Sequence, residues 1–399
     1  MSRSYQSLHS SLAALLVPFF CLSLLQQSCM ATKQLMRKSR SHSSRGLFTF
    51  LYGVTPPLIG SLVNENKLNI AVFKIGDNGQ TLVLPLRYNP KAFDTGYAGT
   101  IKSLTASPDG RFLFMECSNT DDGNYRPHFL QYRILVNGQL KPYDRFGLVT
   151  GARNIVFAPM GHCAYLSLPN LSSSRSQPGR VLEFHVSTQG RIIYPPFASV
   201  PCGPMPTALA MDAKGRVAGV MDDETGFLWQ YTVTAQGRLK PASPPSVAVT
   251  KTPLAPVIAQ DGQFIYVIDD GRRDQHRIYQ LHHQAGSFSL LMPWAVSLPG
   301  PIWDTAISNK HHVMYVSAGN RLLTFHISSQ GTLRLGYFSM NTIVGVTMVV
   351  DNETDCLYVL GLHNRLRTYR ICEDGTLKAF SNASTATNTT MSSFVVVHR

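Results

Sequence analysis

A glycine turn returns along this chain at a nearly constant interval, and that periodicity limits the possible folds more than any other feature. The turn stands at Gly79 (DNGQTL), Gly138 (VNGQL), Gly190 (TQGRI), Gly237 (AQGRL), Gly286 (QAGSF), Gly331 (SQGTL) and Gly375 (EDGTL), with successive spacings of 59, 52, 47, 49, 45 and 44 residues. Each turn follows an alternating apolar stretch such as FLWQYTV or LLTFHI. Alternation places one side chain in two on the same face, the mark of a strand, and Asn-Gly, Asp-Gly or Gln-Gly supplies the positive φ of a tight hairpin. The turn therefore reads as the hairpin between the third and fourth strands of a repeated unit.

The rest of the unit is visible upstream. A second strand reads FLYGV, FLFMEC, AYLSL, VAGVM, FIYVI, VMYVS and LYVLG in the seven copies. Ahead of it stands a turn (SPDG at Ser107, APMG at Ala158, DAKG at Asp212, AQDG at Ala259) and then a short apolar first strand. Four strands repeated at this period make one blade of a β-propeller. The first copy, opening at FTFLYGV, lacks a first strand, and the chain ends on SSFVVVHR, a first strand with nothing after it. Joined, the two fragments complete one blade. An all-β, seven-bladed propeller over residues 47–399 is expected, closed by the C-terminal strand on the N-terminal blade, because an open sheet edge is a site for aggregation.

Composition agrees. With 44% hydrophobic and 15% charged residues, the 399-residue chain has ample material for a large core. The net charge is +13, but the first 46 residues hold six basic side chains and no acid. The remainder, 30 basic against 23 acidic residues, is only mildly basic. No aromatic RNA motif or zinc-finger spacing accompanies that charge, and no nucleic-acid partner is expected. Five cysteines lie beyond the N-terminal segment (Cys117, Cys163, Cys202, Cys356, Cys372); an odd number without CxxC spacing reads as small buried hydrophobes.

Residues 1–31 carry the run LAALLVPFFCLSLL from Leu12, the length of a signal-peptide core and short for a membrane span. Cleavage after Ala31, with export to a periplasm or exterior, is one reading. The excess of basic residues after the run, rather than before it, favours retention in the cytoplasm, and translation from Met30 or Met36 is the other reading. Residues 32–46, polar, basic and Ser-rich, read as a disordered linker. Any membrane contact is expected only through this N-terminal segment.

Two stretches, SPDGRFLF followed by FLQYRILVNGQLKP, together with MPTALAMDAKG and TFHISSQGTL, resemble the seven-bladed lactonase family, which includes 6-phosphogluconolactonases and propeller-type muconate lactonizing enzymes. The WD40 and kelch signatures are absent: the one Trp-Asp, Trp303-Asp304, falls at the wrong place in the unit, and there is no Gly-Gly doublet. The resemblance covers residues 47–399 and implies a lactone-hydrolysing site at the channel mouth, built from a P-H-A-H approach, an Arg-His pair and a Glu after a second strand. Here the corresponding approaches read GARNIVFAP and GPMPTALAM, without those histidines, and only MDDETG, with Glu224, keeps an acid near the family position.

In a propeller the loops entering each first strand and those joining strands two and three share one face. They bring there Lys102, Arg153, Asn154, Trp303 and Asp304, with Glu116, Asp121, Asp122, Asp222, Asp223, Glu224, Asp269, Asp270, Arg272, Arg273, His363 and Arg365. Cations in such a funnel hold an anion or the oxyanion of an opening lactone, and a carboxylate orients or deprotonates water. Arg153 and Glu224 are the catalytic candidates; Lys102, Asn154, Asp222, Asp223, Asp269, Trp303 and Asp304 are candidate ligand contacts. The clustered acids are of the oxygen-donor type that holds Ca2+, and beyond that ion no cofactor or metal is expected. The pairs His282-His283 and His311-His312 do not read as metal ligands, since neighbours in a strand point to opposite faces. Four sequons (Asn170, Asn352, Asn382, Asn388) are open to glycosylation in a secretory setting. The expected function is a propeller that binds a small anionic ligand or a protein partner at the channel face, without retained catalytic residues. The alternative is a hydrolase of a small anionic lactone.

Overall fold

A computed structural model describes residues 49–55, 69–75, 81–88, 99–119, 126–147, 153–170, 177–251, 253–259, 262–269, 275–284, 286–339, 345–361, 365–386 and 393–398. Residues 1–48, with the signal and linker readings, and the Gly79 turn lie outside them. The described residues form 28 strands in seven four-stranded antiparallel sheets. Blade 1 contains β1 (Thr49–Thr55), β2 (Asn69–Ile75) and β3 (Thr81–Tyr88). Blade 2 is β4 (Gly99–Ala106), β5 (Phe112–Asn119), β6 (Arg126–Ile134) and β7 (Leu140–Gly147). Blade 3 is β8 (Arg153–Phe157), β9 (Cys163–Leu168), β10 (Gly179–Val186) and β11 (Ile192–Cys202). Blade 4 is β12 (Pro206–Met211), β13 (Val217–Asp222), β14 (Phe227–Val233) and β15 (Leu239–Ala248). Blade 5 is β16 (Pro253–Ala259), β17 (Phe264–Asp269), β18 (Arg277–Gln284) and β19 (Ser287–Ser297). Blade 6 is β20 (Ile302–Ser308), β21 (Val313–Ala318), β22 (Arg321–Ile327) and β23 (Leu333–Ser339). Blade 7 is β24 (Gly345–Asp351), β25 (Cys356–Gly361), β26 (Arg365–Ile371) and β27 (Leu377–Ala386).

Closure follows the split unit. The last strand, β28 (Ser393–His398), pairs antiparallel with β1 from Thr49↔His398 to Val54↔Ser393, and blade 1 has the order β28-β1-β2-β3. At the seam, His398 shares a 2.8 Å hydrogen bond through Nδ1 with Thr49 Oγ1, and its Nε2 lies 2.9 Å from Asp351 Oδ1 of blade 7. The terminal strand is thus bonded both within blade 1 and to blade 7.

The core lies between blades rather than within them. One apolar cluster joins Phe50, Tyr52 and Val397 of blade 1 to Leu113, Met115 and Tyr132 of blade 2, and another joins Tyr266 and Ile268 of blade 5 to Met314 and Phe325 of blade 6. This packing explains the repeating glycine. Five of the described hairpins, those at Gly138, Gly190, Gly237, Gly331 and Gly375, rest on the second strand of the preceding blade, so that a Cβ at Gly138 would overlap the Phe50 ring, one at Gly190 the Phe112 ring, and one at Gly331 the Phe264 ring, whereas one at Gly286 would meet nothing within 4 Å. These glycines also have φ near +80°, which a side chain disfavours independently. The same hairpin carbonyls accept tyrosine hydroxyls from the preceding blade: Tyr52 to Gly138 (2.9 Å), Tyr165 to Gly237 (2.6 Å), Tyr266 to Gly331 (2.8 Å) and Tyr315 to Gly375 (2.8 Å). A buried hydroxyl that finds a partner avoids a desolvation cost of about 1–3 kcal/mol. Cys163, Cys202 and Cys356 are buried free thiols, as their spacing suggests, and Cys372 is half-buried.

Candidate functional site

Six of the seven innermost strands carry the same irregularity. Where each pairs with its second strand, the register slips by one residue: between Ile101 and Ser103, Arg153 and Ile155, Pro206 and Ala208, Pro253 and Ala255, Ile302 and Asp304, and Gly345 and Thr347. The extra residues are Lys102, Asn154, Thr207, Leu254, Trp303 and Val346. A bulge leaves one residue out of the ladder and re-aims it. Repetition around the ring puts six such residues at the mouth of the channel, on the face where the chain enters each inner strand. Three of them, Lys102, Asn154 and Trp303, stand among the residues picked from the sequence. Thr207, Leu254 and Val346 do not.

Asn154 is the most constrained of the six. Its φ is +50°, it is buried, and its Oδ1 has no hydrogen-bond partner among the described residues. Asn tolerates the left-handed region better than most residues. Arg153 precedes it as the first residue of β8 and Lys102 lies in β4; only their backbone positions are described. Trp303 is half-buried, and its indole donates to the Gly319 carbonyl (2.9 Å) in the turn between β21 and β22. The ring therefore links the entering strand of blade 6 to the loop beside it.

The carboxylates on this face brace the framework. Asp222, at the end of β13, accepts from the Thr225 amide (2.7 Å), the Thr225 hydroxyl (2.6 Å) and the Met205 amide (2.6 Å). It ties the strand-two turn to the approach loop of its own blade, and Gly203 leaves the space its carboxyl fills. Asp269 holds the equivalent place in blade 5, accepting from Thr250 Oγ1 (2.6 Å) on the approach to β16. Asp304 joins two blades. Its Oδ1 accepts from the Thr305 amide (2.7 Å), and its Oδ2 accepts from Thr347 Oγ1 (3.0 Å) and the Met348 amide (2.7 Å) of β24. Burial pushes the Asp304 carboxyl up to about 7, against these three donors, which act to lower it. Glu116 is buried and accepts from Ser103 Oγ (2.9 Å).

Asp223 is partly exposed, with its amide bonded to the Met205 carbonyl (3.0 Å), and Glu224 is exposed in the turn between β13 and β14. The structure therefore places Asp222, Asp223 and Glu224 in one turn of blade 4, and Asp304 and Trp303 side by side in blade 6. Asp121, Asp122, Asp270, Arg272, Arg273 and His363 lie outside the described residues, and Arg365 is described only as the first residue of β26. No group of three or more His, Cys, Asp or Glu side chains that would hold a metal ion occurs among the described residues. The site offers a ring of polar and apolar contacts around an axis, set on a frame stiffened by buried acids.

No protein-family profile matches the sequence, and no curated protein matches it. Solved structures do. A provisionally assigned 6-phosphogluconolactonase of Bacteroides fragilis superposes with a TM-score of 0.65 at 14% identity, covering 90% of this chain and 100% of its own. The periplasmic gluconolactonase of Pseudomonas aeruginosa gives 0.64 at 16% identity, covering 88% of this chain and 99% of its own. Hydrazine synthase of Kuenenia stuttgartiensis gives 0.53 at 13% identity over 80% of this chain and 100% of its own. Identities this low establish the fold, and that fold carries unrelated chemistries. The chain is a seven-bladed propeller of lactonase-like architecture.

Proposed function

We propose that this protein is a ligand-binding propeller that takes a small anionic molecule at the mouth of its channel and does not turn it over. The observation that carries this reading is the use of the acids. Asp222, Asp269, Asp304 and Glu116 are buried and hydrogen-bonded to neighbouring loops and strands. A general base needs a carboxylate open to the water it activates, and these four are committed elsewhere, which leaves Glu224 and the partly exposed Asp223 as the described acids of the blade 4 turn that meet water. The bulge residues are instead of types that bind and orient: a cation (Lys102), an amide (Asn154), a hydroxyl (Thr207, 3.5 Å from the Met221 carbonyl) and the face of an indole whose N–H is held by Gly319 (Trp303), with Arg153 next to Asn154 in the chain. The absence of the family histidines from the approaches to β8 and β12 points the same way.

Titration of the full-length protein with gluconate and 6-phosphogluconate, read by intrinsic tryptophan fluorescence and calorimetry, tests this. Saturable binding that Arg153→Ala abolishes supports it. Equal binding by the wild type and by Arg153→Ala moves the site away from β8.

The second reading, a lactone hydrolase, is favoured by the architecture shared with the periplasmic gluconolactonase. In it Arg153 holds the carbonyl oxygen or the anionic group and Glu224 serves the water. Loss of one such contact costs about 10²–10³ in rate, so Arg153→Ala and Glu224→Gln would each lower kcat/KM by that much without moving the melting temperature. The same neighbour's compartment, with the apolar run at Leu12, supports export as the location we propose; mass spectrometry of the native N-terminus distinguishes cleavage near Ala31 from a start at Met30.

A further inference from the structure

We propose that the face opposite the channel mouth, over blades 2 to 4, docks on an anionic lipid surface. This face is built from the turns joining strands one and two and the hairpins joining strands three and four. The inference is independent of the ligand-binding reading, since it concerns the other end of the channel.

Charge on these turns is strongly one-sided. Three arginines that follow a turn glycine are matched by aspartates: Arg111 by Asp109, Arg191 by Asp144 (2.9 Å) and Arg216 by Asp212 (3.4 Å). Arg133, Lys141, Lys214, Arg238 and Lys240 are exposed on the same turns or within two residues of them. Beyond those three aspartates, the only described acid near these turns is Glu183, which is buried in the seam between blades 3 and 4. Blade 7, across the ring, presents Glu353, Asp355, Glu373 and Asp374 on its turns, with Arg370 and Lys378 exposed beside them and Asp355 paired to Lys310 and His311 of blade 6. The face is therefore basic over blades 2 to 4 and more nearly balanced over blade 7, and a negatively charged plane would be met by the basic side.

The basic side also carries two aliphatic tips. Val136 is 68% exposed at the apex of the hairpin between β6 and β7, and Met160 is 60% exposed at the apex of the turn between β8 and β9. A large aliphatic side chain at a turn apex has no neighbour to cover it. Two such tips, set apart and surrounded by cations, do not form the contiguous packed patch that a protein partner needs. They suit a soft layer into which each enters separately, while lysines and arginines meet the headgroups. Ile193 (48%) and Tyr194 (61%) continue the apolar rim on β11, three and four residues beyond the Gly190 hairpin.

Co-sedimentation of the full-length protein with phosphatidylserine-containing vesicles and with pure phosphatidylcholine vesicles tests the proposal. Binding is expected to the anionic vesicles and to weaken as salt is raised. Each basic residue near such a surface is worth about fivefold in partitioning, so Lys214→Ser with Arg238→Ser and Lys240→Ser should weaken binding about a hundredfold. Val136→Ser with Met160→Ser should weaken it too, whereas Lys251→Ser, on the channel-mouth face, should leave it unchanged. Circular dichroism and the melting temperature confirm that the variants fold. Three results would overturn the proposal: no preference for anionic vesicles, undiminished binding by the triple variant (which would assign attachment to the N-terminal apolar run), or capture by a soluble polyanion such as heparin with the vesicles ignored.

Discussion

Asp304 makes the frame of the candidate site sensitive to pH, in a direction the structure sets. Its carboxyl is buried between the inner strands of blades 6 and 7, and burial raises it from 3.8 to about 7. In the unfolded chain it titrates at its ordinary value. Between those two values the folded protein holds a proton that the unfolded chain has released, so the free energy of unfolding falls as pH rises, by about 1.4 kcal/mol per pH unit. The contribution is complete below about pH 4 and gone above about pH 7, a total on the order of 4 kcal/mol. Asp304→Asn removes the titration while keeping the shape. Its carbonyl oxygen can still accept from Thr347 and Met348; only the contact with the adjacent Thr305 amide is lost, worth about 1 kcal/mol. Urea denaturation of both proteins across this range is the assay. The gap between wild type and variant should shrink with rising pH and reverse in favour of the variant near neutrality. Parallel curves would rule out a raised Asp304 carboxyl, because they would mean that the three donors keep the carboxylate ionised throughout.

Other perturbations probe the ring itself. Gly331→Ala puts a methyl into the Phe264 ring at a positive φ and should cost more than about 2 kcal/mol, whereas Gly286→Ala, at a similar φ with nothing within 4 Å, should cost about 1 kcal/mol; equal losses in thermal melts would discount the seam contact. Tyr266→Phe removes the 2.8 Å bond to the Gly331 carbonyl and should cost about 1 kcal/mol by the same assay. Deletion of Ser393–Arg399 leaves β1 as an open edge beside the channel and should yield aggregates or a broad, non-cooperative transition; wild-type melting by the truncated protein would contradict the closure scheme.

The architecture was legible because the seam between blades imposes it on every copy. The hairpin glycine holds a positive φ at each described hairpin, and at Gly138, Gly190, Gly237, Gly331 and Gly375 it also sits against the preceding blade, so the same letter returns and can be counted. The closing strand was legible because half a blade at each end has one economical completion. The site was less so. Asp222 and Asp269 stand out as acids, but their partners, Met205 and Thr250, lie 17 and 19 residues away in approach loops that follow no period. Their bracing role is thus invisible in the sequence. The bulges hide for a different reason: one extra residue inside a short apolar strand, such as Thr207 in PTALAM or Leu254 in PLAPVIA, leaves no break in the hydrophobic pattern. Lys102, Asn154 and Trp303 stand out in the sequence as polar or aromatic residues near strand starts. That they occupy one equivalent position around the ring emerges only from the strand registers.

Binding without turnover is decided by the hydrolysis of gluconolactone and 6-phosphogluconolactone by the purified full-length protein. With the buried acids committed to the frame, the progress curves should superimpose on spontaneous ring opening in buffer. Saturable, protein-dependent hydrolysis that Arg153→Ala or Glu224→Gln abolishes would instead establish a lactonase at the channel mouth.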